Sequence, residues 1–171
     1  MATTCKLIGK QILSTTAASV TFSSIPQTGY TDLYLVLSAR ATGSYDATPW
    51  VTAELHFNNN TTGYSARTLF GTGSGAGSDT NAAAFLIPDT DSTANTFSNC
   101  DIYIPNYAGS TNKSASGTSV TENNGTSAAM WAHALLWSNT AAITEMRVRP
   151  FTGGGNFASG SSFFLYGITK A

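Results

Sequence analysis

Charge is scarce in this chain of 171 residues. Asp, Glu, Lys and Arg together make up 10% of the sequence, and the formal net charge at pH 7 is −1. A typical globular protein has about a quarter charged residues. The few Lys and Arg residues are scattered along the chain, whereas a nucleic-acid binder needs them concentrated on one face. We therefore expect no nucleic-acid partner.

Long apolar runs are also missing. No segment approaches the roughly 18 apolar residues of a membrane-spanning helix, and residues 1–10 lack the apolar centre of a secretory signal peptide. We therefore expect no membrane partner and synthesis in a reducing cytoplasm. Cys5 and Cys100 lie far apart and flank no metal-like spacing, so free thiols are the preferred prediction. A disulfide between them stays open.

Groups suited to catalysis are few, since His56 and His133 are the only histidines. A hydrolytic triad also needs an acid partner and a nucleophile, and the neighbouring residues provide no nucleophile motif. The paired carboxylates of a glycoside hydrolase are not apparent either. We predict that the chain is not an enzyme, that it has no catalytic residue, and that His56 lies on the solvent face beside Glu54.

One acidic segment, Asp89-Thr90-Asp91, presents oxygen ligands at alternating positions, as calcium sites do. It lacks the glycine and the bidentate glutamate of an EF-hand loop, and a Pro-Asp turn with an Asx hydrogen bond is the preferred interpretation. We therefore predict no metal ligand and no cofactor.

Ser, Thr, Gly and Asn together make up about two-fifths of the chain, far above ordinary usage, yet hydrophobic residues reach 42% and aromatic residues 11%. A disordered polar chain would lack those aromatic residues. About nine to eleven short alternating segments are separated by Gly, Asn, Pro and Ser turns, and no amphipathic helix is evident. The pattern predicts one all-β domain over residues 1–171: an antiparallel two-sheet β-sandwich, jelly-roll-like because the chain is longer than an immunoglobulin domain.

Individual strands carry more specific predictions. Residues 31–40 are apolar on both faces, which predicts a central strand or one covered by a partner. Residues 97–107 form a strand that should stop pairing at Pro105 and pair with residues 114–121. Residues 50–58 alternate cleanly, and 64–70 should return as their partner strand after an Asn-rich turn. Residues 71–80 are predicted to be a mobile loop, and Gly9 a bend in an edge strand.

Strand parity also predicts interface residues. In residues 128–137 Trp131 and His133 share a face, and in residues 31–40 Tyr34 and Val36 share one. Doubly apolar strands suit an oligomer interface, so we predict subunit-interface roles for Tyr34, Val36, Trp131 and His133. An alternative is a sugar-binding face lined by Tyr34, Tyr103, Tyr107 and Trp131.

Several blocks have a familiar order: residues 20–26, 30–33, 102–107 with 112–114, 136–144 and 164–168. With these blocks the chain resembles a widespread family of virion structural proteins of tailed bacteriophages. The resemblance spans nearly the whole chain. It implies a small β-sandwich virion component without catalysis, and it supplies no site residues to transfer.

The resemblance implies two locations on a virion. The first is a capsid decoration, or cement, protein that binds the major capsid protein and further copies of itself, with a trimer favoured, and stabilises the assembled head. No coiled-coil stalk of the kind a fibre needs is present, which favours this location. The alternative is a tail-fibre or receptor-binding module that recognises a host surface glycan.

Overall fold

The computed structural model describes residues 4–46, 48–80, 85–122, 124 and 128–169. Within these residues the chain forms twelve strands and no helix, because short runs of β-branched and aromatic residues are interrupted by Gly, Asn and Pro. The all-β prediction is confirmed, with one strand more than the predicted range. The strands are β1 (Cys5–Ile12), β2 (Val20–Phe22), β3 (Asp32–Ser38), β4 (Trp50–Phe57), β5 (Tyr64–Gly71), β6 (Ala76–Asp79), β7 (Phe85–Pro88), β8 (Asn99–Ile104), β9 (Lys113–Thr121), β10 (Ala129–Trp137), β11 (Met146–Pro150) and β12 (Ser162–Ile168).

Eight of the strands have the connectivity of a jelly roll. In the larger sheet β1, β12, β3 and β8 are neighbours in that order, and β2, β11, β4 and β7 make up the smaller sheet. If only these eight strands are followed, β1 to β4 alternate between the two sheets and β7 lies in the same sheet as β4. The alternation then resumes through β8, β11 and β12. All pairings are antiparallel. The predicted two-sheet, jelly-roll-like sandwich is therefore confirmed.

Four further strands widen the larger sheet beyond β8, in the order β9, β10, β5 and β6. We call these four strands the extension. β9 and β10 form a hairpin, and β5 pairs with the other side of β10. Because the larger sheet has eight strands and the smaller has four, the extension reaches past the smaller sheet.

β3 lies between β12 and β8, as the doubly apolar pattern predicted. Leu33, Leu35 and Leu37 point towards the smaller sheet and are at most 1% exposed. Tyr34 and Val36 point the other way and are half-buried. Their face is continuous across the sheet, because directly paired residues of antiparallel strands point to the same side. We call this side of the larger sheet the outer face and the side towards the smaller sheet the inner face.

The segment after β8 is fixed by buried polar contacts. β8 ends at Ile104, immediately before Pro105, as predicted, and it pairs with β9. The side chain of Tyr107 is fully buried, and its hydroxyl donates to the carbonyl of Pro26. Tyr107 therefore cannot contribute to a sugar-binding face.

Lys113, the first residue of β9, is also buried, at 1% exposure. Its ammonium donates to the carbonyls of Gly109 (2.7 Å), Thr111 and Thr140 (3.4 Å). Burial lowers the pKa of the Lys113 ammonium. These bonds join the loop after β8 to the loop after β10.

Two strand predictions are wrong. β5 does not pair with β4; it lies in the other sheet, next to β10 and β6. The intervening turn redirects the chain, because the side chain of Asn58 accepts hydrogen bonds from the backbone of Thr144 and Glu145. The backbone N–H of Phe57 donates to the hydroxyl of Tyr64 at 2.7 Å. In addition, part of the predicted loop over residues 71–80 forms the edge strand β6.

The edge strand β1 bends where the sequence predicted. The register of β1 against β12 shifts between Leu7 and Gly9. A side chain at Gly9 would collide with the ring of Phe22, with its Cβ 2.5 Å from Cδ1. Glycine therefore allows the end of the smaller sheet to approach β1.

Candidate functional site

One concave surface is a cleft of about 360 Å³ beside the start of β4. It lies where the loop before β4 and the end of β11 face the inner side of β10. Its lining residues are Tyr45, Asp46, Thr48, Trp50, Val51, Thr52, Trp131 and Phe151. We call this surface the aromatic cleft.

The wall of the aromatic cleft is held by two loops that hydrogen-bond each other. Gly43 N–H donates to the carbonyl of Gly154 at 3.1 Å, and Thr42 N–H donates to the carbonyl of Asn156 at 2.8 Å. Gly153 has a φ of +104°, and a Cβ there would lie 2.6 Å from the Tyr45 ring. The glycine-rich segment at residues 153–155 therefore positions Tyr45.

Aromatic side chains dominate the rim of the cleft. Tyr45 is 62% exposed and Phe151 is 37% exposed, and their rings meet edge to face with centroids 5.4 Å apart. Trp131 is half-buried and packs between Phe70 and His133. Such pairing holds the rings at fixed positions beyond the effect of burial alone.

One carboxylate lies at the rim. Asp46 Oδ1 accepts hydrogen bonds from the hydroxyl and the backbone N–H of Thr48, the latter at 2.9 Å. Both hydrogen bonds lower the pKa of the Asp46 carboxyl, and the one from the Thr48 hydroxyl has the larger effect. The aromatic cleft therefore presents a fixed anionic acceptor at neutral pH.

Further along the same face of β4 and β11, the side chains are charged. Arg149 Nη2 lies 2.6 Å from Glu54 Oε2, and His56 Nε2 lies 3.7 Å from the same oxygen. Arg147 Nη2 lies 3.5 Å from His56 Nδ1. Burial lowers the pKa of His56, Glu54 opposes this, and both arginines add to it. His56 lies beside Glu54 as predicted, but its predicted exposure is wrong, since only 6% of it is accessible.

His133 is buried as well, at 5% exposure, on the inner face of β10. Leu86 N–H donates to Ser119 Oγ at 3.1 Å, and Ser119 Oγ lies 3.0 Å from His133 Nε2. His133 Nδ1 lies 3.3 Å from Thr68 Oγ1. Because the Ser119 oxygen already accepts the Leu86 N–H, the Ser119 hydroxyl donates to Nε2 of His133. The ring proton of His133 is then on Nδ1 and is donated to Thr68 Oγ1.

The contact between Ser119 and His133 has the composition of a nucleophile and its base, which the sequence spacing did not reveal. Ser119 is 0% exposed, however, and its oxygen already accepts a backbone N–H. Burial lowers the pKa of His133 to about 4, with a smaller opposing effect from Asp101. The pair therefore acts as a neutral structural network in the core.

The predicted interface set divides between two faces. Tyr34 and Val36 lie on the outer face, where their interface role stays a prediction. Trp131 and His133 lie on the inner face, because Trp131 pairs with Ser119 and His133 with Gly117 across to β9. The assignment of His133 to an interface is corrected: its side chain is buried and both ring nitrogens have partners. Trp131 lines the aromatic cleft, and its interface role stays a prediction.

The exposed apolar side chains mark two surfaces. In the described part of the chain seven large apolar side chains are exposed, and two of them, Tyr45 and Phe151, are at the rim of the aromatic cleft. The strand registers place the other five on the outer face. These five are Leu7 (45%), Ile12 (59%), Leu69 (67%), Tyr103 (36%) and Met130 (55%).

The remaining sequence candidates have structural roles. Asp91 N–H donates to Asp89 Oδ1 at 2.8 Å, which is the predicted Asx turn. Both cysteines are free thiols, Cys5 exposed and Cys100 buried, as preferred from the sequence. No group of three metal-ligating side chains occurs among the residues described. The same residues include no helix that is long and apolar enough to cross a membrane.

Comparisons with known proteins leave the family open. No family model and no curated protein matches the chain. A fructofuranosidase from Schwanniomyces occidentalis in complex with fructose is similar with a TM-score of 0.30 and 5% identity, over 99% of this chain and 35% of that one. This chain thus spans about a third of the length of that enzyme chain. A protein of unknown function from Shewanella oneidensis MR-1 has a TM-score of 0.30 and 8% identity, over 100% of this chain and 82% of that one.

Proposed function

We propose that this chain is a non-enzymatic structural protein of a bacteriophage virion that decorates and stabilises the assembled capsid. The observation that carries the proposal is the outer face of the larger sheet. It is a broad open surface with five exposed large apolar side chains distributed from β1 to β5, and we take it as the surface for contacts with other proteins. Jelly rolls recur in viral capsid proteins, which is a fold-level analogy that agrees with the resemblance seen in the sequence.

The occupant we assign to the outer face is a second copy of the chain. Eight strands at about 4.8 Å spacing and about 20 Å length give an area on the order of 700 Å². A standard protein interface buries about 800 Å² on each partner. One such face is therefore large enough for a stable contact between copies.

Charge on the outer face permits self-association. The strand registers turn two cations, Lys10 and Arg67, and two anions, Asp32 and Asp101, towards this side. Both carboxylates accept hydrogen bonds within the chain, Asp32 from Tyr103 at 2.8 Å and Asp101 from the hydroxyl of Thr118. Two copies would therefore meet without a large excess of like charge.

In this proposal the protein acts by mass action. A protein that binds the assembled shell and not the free subunits shifts the equilibrium towards the shell. The contacts would be to the major capsid protein and to further copies of the chain, with a trimer as the expected oligomer. No nucleic acid, membrane or cofactor takes part.

Sedimentation of the purified protein tests self-association. We expect the wild type to sediment above the monomer mass and to dissociate when charge is placed on the outer face in Ile12→Lys and Leu69→Lys. Both side chains are well exposed, at 59% and 67%, so the substitutions leave the fold intact. Tyr45→Lys is the matched control, with 62% exposure outside the outer face, and should remain associated. A monomeric wild type at micromolar concentration would contradict the assignment.

Immunogold labelling of intact virions, from the phage that encodes the chain, tests the location. Even label over the heads is the result expected of a decoration protein. Label confined to the tail would replace decoration with the tail-associated role. A lack of label on intact and on opened virions would overturn virion membership altogether.

A further inference from the structure

We propose that the aromatic cleft binds a neutral saccharide, with the sugar ring against Trp50, Trp131, Tyr45 or Phe151 and a hydroxyl on Asp46. This is a ligand site in addition to the structural role, and it does not depend on that role.

The first argument is the exposure of the rings. Tyr45 and Phe151 are the two exposed large apolar side chains of the described chain that lie away from the outer face. Both border the same cavity as Trp50 and Trp131. Aromatic rings offer a flat apolar surface with an electron-rich face, and this surface matches the C–H face of a pyranose ring. Four rings around one cleft thus provide stacking surfaces for a sugar.

The second argument is the polar chemistry beside the rings. Asp46 is held by Thr48 through Oδ1, so the carboxylate has a fixed orientation before any ligand arrives. A carboxylate that accepts a hydrogen bond from a sugar hydroxyl makes a charge-assisted bond, which is about twice as strong as a neutral one. Binding sites typically combine mostly apolar walls with a few such placed polar groups.

The third argument is rigidity. The backbone bonds between residues 42–43 and 154–156 hold the Tyr45 loop against the segment after β11. Gly153 lets Tyr45 pack directly on that segment, because any side chain at this position would strike the ring. A site built before binding loses less conformational entropy when the ligand enters. The rim is therefore fixed rather than formed on binding.

Charge and size select a neutral saccharide over a nucleotide or an acidic ligand. The carboxylate of Asp46 would repel a phosphate at the rim. Arg149, the nearest cation along the same sheet face, is neutralised by Glu54 at 2.6 Å. The volume of about 360 Å³ falls at the small end of the range of ligand sites, about 300–1,000 Å³. The cleft thus suits a short oligosaccharide segment.

Tryptophan fluorescence provides a direct assay, because two of the three tryptophans line the cleft and the third, Trp137, is buried at 1% exposure. The probes are malto-, cello- and chito-oligosaccharides and the neutral surface polysaccharide of the host bacterium, followed by calorimetry. We expect at least one of them to change the emission saturably. Tyr45→Ala and Asp46→Asn should each weaken binding about tenfold, the equivalent of ~1.4 kcal/mol.

Leu69→Ala is the matched control, since Leu69 has an exposure similar to that of Tyr45 but lies on the outer face. It should bind as the wild type does. Both cleft substitutions replace exposed side chains, and circular dichroism would verify their folding. Saturable binding that is unchanged in Tyr45→Ala and Asp46→Asn would overturn the proposal. Failure of the wild type to bind any of these probes at millimolar concentration would also overturn it, as would preference for an acidic or phosphorylated sugar.

Discussion

Burial of His133 makes the stability of this protein depend on pH. The side chain is 5% exposed, and burial lowers its pKa to about 4. In the unfolded chain a histidine titrates near 6.5. Between these two values the unfolded chain binds a proton that the folded chain does not. The free energy of unfolding therefore rises with pH across this window and falls as the pH is lowered from 7 towards 4.

The magnitude follows from the two pKa values. The whole difference corresponds to ~3 kcal/mol, and the part lost between pH 7 and pH 5 is about 2 kcal/mol. Single domains have a total stability of about 5–15 kcal/mol, so this one side chain produces a measurable loss. The loss is complete once the pH is below about 4, where the folded protein also binds the proton.

Urea unfolding at pH 7 and pH 5 would measure the effect in the wild type and in His133→Gln. The substitution removes the titrating group but retains a donor and an acceptor for Ser119 and Thr68. Other titrating groups, among them His56, remain in both proteins and cancel in the comparison. We expect the loss of stability between the two pH values to be about 2 kcal/mol smaller in His133→Gln.

An equal loss in both proteins would show that His133 is not the group responsible. A second measurement does not depend on the variant. The imidazole carbon and proton resonances of His133 in the wild type should keep their neutral shifts from pH 7 down to about pH 5 and change with a midpoint near pH 4. A midpoint near 6.5 for His133 would refute the reasoning, because it would mean that the ring is solvated in the folded state.

Three other predictions concern stability and reactivity. Lys113→Met should lower the free energy of unfolding by about 2 kcal/mol, because it leaves the carbonyls of Gly109, Thr111 and Thr140 without the Lys113 donor; thermal unfolding would detect it. Gly117→Ala should destabilise by about 1–3 kcal/mol, since the added Cβ would overlap the Asp101 carbonyl on β8, and a wild-type melting temperature would contradict this. In the native protein only the Cys5 thiol should react with a disulfide reagent, because Cys100 is buried and its burial raises the pKa of its thiol to about 12. In denaturant both thiols should react.

The local parts of the fold could be predicted from the sequence. The alternation of Leu33, Leu35 and Leu37 with apolar residues of the other parity predicted a central strand, and β3 lies between β12 and β8. Pro105 ended β8 because proline cannot donate to a neighbouring strand. Gly9 marked the bend of β1. Each of these features is encoded within a few consecutive residues.

Pairing partners were not encoded locally. The turn before Tyr64 resembles that of a hairpin, but Asn58 bonds to residues 144–145, more than 80 positions away in the sequence. β6 has no apolar alternation, and all four of its residues are exposed. It is a strand because the free edge of β5 offers backbone groups to pair with. Apolar alternation in a sequence indicates a buried face, and β6 has no buried face.

The aromatic cleft was beyond sequence reasoning for the same reason. Tyr45, Trp50, Trp131 and Phe151 come from three segments, and only the tertiary fold brings them together. Trp131 was singled out in the sequence, for a subunit interface or, as the alternative, for a sugar-binding face with three tyrosines that do not line the cleft. The signal that existed was the placement of Tyr45 and Phe151 beside glycine-rich and polar turns, where a large apolar side chain has no core to enter.

The two proposed surfaces lie on opposite sides of the larger sheet and are compatible in one molecule. β10 contributes to both: Met130 is exposed on the outer face, and the next residue, Trp131, lines the aromatic cleft. Successive side chains of a strand point to opposite sides, so contact between copies through Met130 would leave Trp131 open to a ligand. A one-residue shift in the register of β10 would exchange the two side chains and remove both surfaces at once. The buried contacts of His133 with Ser119 and Thr68, on the strands flanking β10, hold that register in place. Assembly, saccharide binding and the pH dependence of stability are therefore expected to share this one strand.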